Sequence, residues 1–345
     1  MIKKSVATAI ALIFALPAFA GDLVVMEWGG YDLEGVYADY ATKHNGPPTY
    51  SFIGSDDEEF QRLSSGFKAD VAHPCSQMVP KYRETGLIEP WDPAKITELA
   101  NLNPAFLNSP FLKDDEGVWF LPGDWGATAV AYNKDKVPEA DVASLQVFLD
   151  PKYAGRISLP NSSDDVWALA FLATGKTDWN SVSDEEFKAA ADWLRKVHQN
   201  VRAYWNDSAE VSQLIASGEV LVAWAWNDGV AILRAENFPV GYQREAKEGS
   251  STWVCGFVNM KDGPGNEDEA YDFMNSWLSP GGAKALVEEL GVGHSNLAAM
   301  ATMDPAALVE AGLGPVNAPT FPQTPKDNAL HERMLKEFEN IKAGF

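Results

Sequence analysis

The sequence predicts an α/β protein of two lobes, each a mainly parallel sheet with flanking helices and a hinge between them. Three observations lead there. Apolar runs of strand length alternate with stretches of helical spacing from residue 23 onward, and that alternation implies parallel strands. A long run of small residues at 119–133 interrupts the alternation and reads as a crossing between lobes. The 325 residues that follow the first 20 are more than one hydrophobic core usually fills.

The first 20 residues have the pattern of a secretory signal. Lys3 and Lys4 precede a mostly apolar run at 6–16 that is too short to span a bilayer. Ala18, Phe19 and Ala20 supply the small residues of a cleavage site, so residues 1–20 are expected to be removed and the mature chain to begin at Gly21. The competing reading, an uncleaved anchor, fits the short apolar run less well. No Cys follows that run to take a lipid, and no later segment has the length and apolarity of a membrane span. The mature protein is therefore expected to be soluble and exported, with no membrane insertion after signal cleavage.

The elements follow in order. Residues 23–26 read as a buried strand ending in the glycine turn Glu27-Trp28-Gly29-Gly30-Tyr31. Leu33, Val36, Tyr37 and Tyr40 give 33–44 helical spacing. A strand at 49–53, a helix at 57–65 and a strand at 69–72, closed by Pro74, complete the first α/β unit. Ligands in such sheets sit beyond the carboxyl ends of the strands, which points at 28–31 and 74–77. After the crossing, the second unit offers strands at 156–160, 201–205 and 220–225. Its helices are expected at 164–174, at 184–198 with Ser183 and Glu186 as a capping box, at 209–217 before Gly218, and at 229–236. Residues 252–260 resemble a strand returning to the first lobe, followed by helices at 267–278 and 282–290. The tail is Pro-rich from Pro305 and helical over 328–342. The expected division is 21–127 for lobe 1, 128–252 for lobe 2, 253–303 for the return to lobe 1, and 304–345 for a C-terminal segment on lobe 2.

The formal charge is −22, and −24 without the two leader lysines. That argues against nucleic-acid binding, which needs basic footprints. It suits a cationic or zwitterionic cargo through weak steering, and equally the solubility of an exported protein. Cys75 and Cys255 read as one disulfide in an oxidising compartment, or as two unrelated small buried residues. Enzyme signatures are missing: no G-x-S-x-G elbow, Walker loop or G-x-G-x-x-G occurs. His44, His73, His198, His294 and His331 are scattered, without metal-ligand spacing, and no cofactor or metal is expected. His73 lies near a strand end and reads as a packed polar residue. Asp164 and Asp165 imitate a catalytic acid pair, but acids at a helix start are the simpler account.

Four short stretches carry a family resemblance. They are Trp125-Gly126-Ala127-Thr128-Ala129, Asp150-Pro151-Lys152-Tyr153-Ala154-Gly155, Trp226-Asn227 and Ser295-Asn296-Leu297-Ala298-Ala299. In order and spacing they resemble the spermidine/putrescine-binding proteins of ABC transporters, over about 24–299. The resemblance implies a two-lobed periplasmic-binding-protein fold of type II. It also implies a monomer that hands a small amine-bearing solute to an inner-membrane ABC permease and performs no chemistry.

The site implied is a box of aromatic rings with acids at the ammonium ends. Trp28 and Tyr31 match the family's first binding loop, Trp226 its tryptophan after the sheet strand, and Trp253 the one in the returning strand. Core packing is the competing account in a chain with 12 Trp, and Trp125, Trp167 and Trp205 are weaker candidates. The acids depart from the pattern. Gly30, Cys255 and Ser162 stand where the family has carboxylates, Gln77 replaces a tyrosine, and Asp165 is kept. Arg202 stands where the family has a small neutral residue, and a guanidinium matches a carboxylate in bidentate fashion. Asp228 would take an ammonium at the other end, or cap the following helix. Together they lead to an expected zwitterionic ω-amino acid such as 4-aminobutyrate. Putrescine or spermidine is the alternative, followed by a quaternary amine or thiamine-like cation and, in a different class, a secreted enzyme. By the same alignment Cys75 and Cys255 end adjacent lobe 1 strands on the cleft side, so a bridge between them is expected.

Overall fold

The computed structural model describes residues 23–107, 112–179, 181–324 and 326–345, and the expected leader lies outside the described residues. Lobe 1 begins with β1 (Val24–Trp28), which pairs in parallel with both β2 (Thr49–Ile53) and β3 (Val71–Ala72). The connections are α1 (Glu34–His44) and α2 (Asp56–Ser64). Helix α2 starts where Ser55 accepts a hydrogen bond from the Glu58 N–H, and its first turn carries Asp56, Asp57, Glu58 and Glu59. Acids there face the positive end of the helix dipole.

The crossing strand β4 (Leu121–Asn133) is buried along almost its whole length. Beyond it come β5 (Ile157–Pro160), α3 (Ser163–Ala173), α4 (Asp184–His198), β6 (Val201–Trp205), α5 (Ser208–Ala216), β7 (Val222–Trp226) and α6 (Asn227–Ala235). The Ser183–Glu186 capping box expected for α4 is present. The chain returns through β8 (Ser250–Met260) to α7 (Glu267–Trp277) and finishes with α8 (Asn328–Lys342). The helix expected over 282–290 begins at Pro280, and its last turn, Leu286–Leu290, widens into a π-turn.

The main path of the sheet runs β2-β1-β3-β8-β4-β7-β5-β6. Each lobe is parallel at its outer end, while β8 and β4 run antiparallel to each other and to their neighbours on this path. Antiparallel pairing is what a chain that crosses and returns through the same gap must produce. A bulge lies between Cys255 and Gly256, opposite Asp124 and Pro122. Gly256 is required there, because a Cβ would stand 2.2 Å from the Leu121 carbonyl oxygen.

The apolar side chains collect on either side of this crossing. On the lobe 1 side, Val25, Val36, Phe257, Phe273 and Trp277 form one cluster and Met26, Tyr82 and Val258 another. On the lobe 2 side, Val130, Phe148, Ile157, Trp167 and Trp224 pack with Met334, Phe338 and Ile341 of α8. Separate cores joined by a few strands are the architecture of a hinged clamp. Among the described residues no helix is long and apolar enough to cross a membrane.

Candidate functional site

A narrow cleft opens where the carboxyl ends of β1, β2, β6 and β7 converge. Lobe 1 contributes Trp28, Gly29 and Tyr31 from the end of β1, Ile53, Ser55 and Asp56 from the end of β2, and Cys75. Lobe 2 contributes Ser162 and Asp165 at the start of α3, Asn206, Asp207 and Ser208 after β6, and Trp226 and Asp228 after β7. Trp253 and Cys255 of the returning strand and Gln323 of the C-terminal segment complete the wall.

Three of the tryptophans form a chain of ring contacts. Trp28 and Trp226 meet edge to face with centroids 6.1 Å apart, and Trp205 backs Trp226 at 4.6 Å. The two facing indoles are tied down: Trp28 Nε1 donates to the His73 carbonyl at 2.8 Å and Trp226 Nε1 to Asp165 Oδ2 at 3.1 Å. The Tyr31 hydroxyl donates to Asp124 Oδ2 at 2.9 Å. Gly126 lets Trp253 take its place, since a Cβ at 126 would stand 2.3 Å from both the Trp253 ring and Asn227 Oδ1. The Asn227 side chain in turn accepts from the Ala127 N–H and donates to the Gly291 carbonyl. The Trp-Gly-Ala and Trp-Asn stretches of the sequence are thus two halves of one joint.

The acids are the chemical core of the cleft. Asp228 is buried; its Oδ2 accepts from the Ser208 hydroxyl at 2.6 Å, and Oδ1 has no partner. Burial raises its carboxyl to about 6, against hydrogen bonds from Ser208 and the helix main chain. Burial likewise raises Asp165, opposed by the Trp226 indole and the Ser162 and Thr128 hydroxyls. Asp56 is pushed well above the usual carboxylate range by burial, although the Cys75 N–H donates to it at 2.7 Å. No Lys, Arg or His stands among the residues that line the cleft. Buried carboxylates without a counter-charge are costly, and a bound cation relieves that cost.

The sequence-derived candidates divide sharply. Trp28, Tyr31, Asp165, Trp226, Asp228 and Trp253 come together in the cleft. Asp228 does not cap α6; it is the helix's second residue, and the N-cap position is Trp226. Gln77 sits behind the wall, where its Nε2 reaches Asp56 Oδ2 at 3.1 Å, Asp164 Oδ2 at 3.2 Å and Gln323 Oε1 at 3.3 Å. Arg202 lies outside the cleft and needs correcting. It occupies the irregular register between β5 and β6 near the amino end of its strand, and it pairs with Glu219 on an exposed face. The cleft is at the other end of β6, where Asn206 and Asp207 stand. Trp167 is fully buried in the lobe 2 core, and Trp125 donates to the His294 carbonyl, away from the cleft.

Cys75 and Cys255 form a disulfide in the wall itself, joining the end of β3 to the returning strand. The residues that sequence reasoning missed are Asp56, the 206–208 turn and Gln323. Asp56 had a usable signal, because it follows the carboxyl end of β2 just as Trp28–Tyr31 follow that of β1. Gln323 had none: it reaches Asp165 Oδ1, at 2.9 Å, from 158 residues away in sequence.

The model of the bacterial extracellular solute-binding protein family matches residues 37–311. The spermidine/putrescine-binding periplasmic protein of Escherichia coli K12 is 28% identical over 295 residues, which cover 85% of this chain and 83% of that protein. The spermidine/putrescine ABC transporter substrate-binding protein PotD from Streptococcus pneumoniae has a similar structure, with a TM-score of 0.72 and 22% identity, covering 93% of this chain and 98% of that one. The GABA receptor Atu4243 also has a TM-score of 0.72, at 20% identity, covering 94% of this chain and 97% of that one. The shared architecture is the two-lobed type II fold. This chain belongs to the bacterial extracellular solute-binding protein family, whose members bind solutes and are not enzymes.

Proposed function

We propose that this chain, as a member of that family, is the periplasmic substrate-binding component of an ABC importer and that its cleft captures a diamine or polyamine such as putrescine or spermidine. The observation that carries this reading is a cleft lined by Asp56, Asp165 and Asp228 and by no cationic side chain. A di- or polyammonium ion brings a charge for carboxylates on both lobes, and its methylene chain suits the faces of Trp28, Trp226 and Trp253. The names of the curated relatives agree in cargo class. The expected ω-amino acid loses its main support, because the guanidinium meant for its carboxylate, Arg202, is paired with Glu219 outside the cleft.

The mechanism is closure. Asp56 and Trp28 belong to lobe 1, and Asp165, Trp226 and Asp228 to lobe 2, so a cation that contacts both lobes favours the closed form over the open one. The closed form is what the permease is offered. A population shift of this kind needs only that the solute bind the closed form more tightly.

A thermal-shift comparison of residues 21–345 against putrescine, spermidine, 4-aminobutyrate, 5-aminovalerate and choline tests the reading. A ligand at a hundred times its Kd stabilises the native state by about 2.7 kcal/mol. Putrescine or spermidine is expected to raise the melting temperature and the ω-amino acids to leave it unchanged. A shift with 4-aminobutyrate alone overturns the cargo assignment.

A further inference from the structure

Directly beneath the lobe 1 wall lies a set of ionisable groups entirely out of solvent. Glu27, His73 and Asp124 are each 0% exposed. His73 Nδ1 faces Glu27 Oε1, and its Nε2 lies 2.9 Å from Asp124 Oδ1. The ring stacks on Phe257 at 4.0 Å and meets Trp277 and Tyr31 edge-on at 5.5 and 5.7 Å. None of the three groups lines the cleft.

Both rings from the end of β1 nevertheless terminate on this set. Trp28 Nε1 donates to the main-chain oxygen of His73, and its main-chain N–H donates to Glu27 Oε1 at 2.8 Å. Tyr31 donates to the Asp124 oxygen that His73 leaves free. The His73 main chain is itself anchored, donating to Glu59 Oε1 at 3.0 Å, while Tyr82 donates to Glu59 Oε2 at 2.7 Å.

We propose that His73 is the positioning residue of the lobe 1 half-site: an imidazolium donating to Glu27 and Asp124 that fixes Trp28 and Tyr31 in place before any solute arrives. The proposal rests on the cleft being the solute site and deepens that reading. An ionised carboxylate only accepts hydrogen bonds, and a neutral imidazole has one donor. With a carboxylate oxygen against each ring nitrogen, only the doubly protonated ring supplies both bonds without protonating a carboxylate. Burial opposes the charge, but Glu27 and Asp124 outweigh it and raise His73 above the usual imidazole range; burial raises Glu27 as well, with the His73 charge and hydrogen bond acting against that rise. A ring bonded at both nitrogens and stacked on Phe257 cannot turn, so the carbonyl that holds Trp28 and the carboxylate that holds Tyr31 share one fixed post. A wall ordered in advance lowers the ordering cost of binding.

The ligand-free mature protein, with isotope-labelled histidine, tests this by nuclear magnetic resonance. Both ring nitrogens of His73 are expected to carry protons from about pH 6 to pH 8.5, far above the range of a free imidazole. A single protonated ring nitrogen at neutral pH overturns the proposal. In His73→Gln, the Trp28 indole N–H is expected to exchange with solvent roughly tenfold faster, as an unfixed ring would. If that variant does not fold, Glu27→Gln serves, and the same acceleration is expected; an unchanged exchange rate in a folded variant overturns the proposal. Putrescine titration of the wild type stands apart. Failure to bind would count against the cargo assignment and leave the ring and exchange results to decide the role of His73.

Discussion

Trp28 of lobe 1 and Trp226 of lobe 2 meet edge to face across the cleft, with ring centroids 6.1 Å apart and planes at 81°. They come from strands on either side of the β8–β4 crossing in the sheet path, so their contact joins the two lobes. The pair is therefore both part of the proposed solute box and a report on its closure. Four expectations follow from the cleft and its surroundings.

Trp226→Ala removes a ring from the box and the indole N–H from buried Asp165. Losing a cation–π face and leaving a buried acceptor short of a donor costs about 1–3 kcal/mol together, or roughly ten- to hundredfold in affinity. Calorimetric titration with putrescine is expected to show that loss, while the far-ultraviolet circular dichroism is unchanged.

Asp228 links stability and binding to pH. Burial raises its carboxyl from 3.8 to about 6 in the ligand-free fold, so between these values the folded chain holds a proton that the unfolded chain has released. Its contribution is present below about pH 4 and lost as pH rises through 6, on the order of 2–3 kcal/mol. Asp228→Asn is expected to flatten the stability curve over that window, as measured by urea denaturation. An ammonium needs the ionised form, so putrescine affinity in the wild type should fall as pH drops through 6. The variant should bind about a hundredfold more weakly or worse, at the cost of breaking a buried charge pair.

Arg202→Ala should matter little. The side chain is 54% exposed and its partner Glu219 41%, so the pair contributes about 0–1 kcal/mol. Putrescine affinity is expected to stay within about twofold of wild type, the usual scatter for an exposed pair. A loss of binding by calorimetry would return Arg202 to the site.

Cys75–Cys255 closes a sequence separation of 180 residues and pins the end of β3 to the returning strand. Replacing both with serine is expected to destabilise the chain by about 2–5 kcal/mol, measured as a lowered denaturation midpoint. Thiol titration of the native wild type should detect no free cysteine.

Much of the local structure was legible. The end of β1 could be placed because an apolar run meets paired glycines, and α4 because Ser183 and Glu186 spell out its cap. Strand-end placement was equally readable for Trp28, Tyr31 and Asp228, since ligands in such sheets lie beyond the strands' carboxyl ends. The same rule applied to Arg202 would have rejected it, because Arg202 sits near the amino end of β6. Reading it as a ligand residue gave weight to its type, a cation among missing acids, over its position along the strand.

What the sequence by itself determined is the alternation of strands and helices, the crossing at 119–133 and the chemistry available at each strand end, because these depend on local periodicity and turn-forming residues. What only the tertiary structure decided is which of those chemistries meet. Asp56 faces the cleft because α2 is capped at Ser55 and the Cys75 N–H turns its carboxylate inward. Gln323 reaches Asp165 from a different part of the chain, and His73 is enclosed by carboxylates from β1 and β4. Such contacts are set by how distant segments pack and by the need of every buried charge for a partner, which no short stretch of sequence encodes.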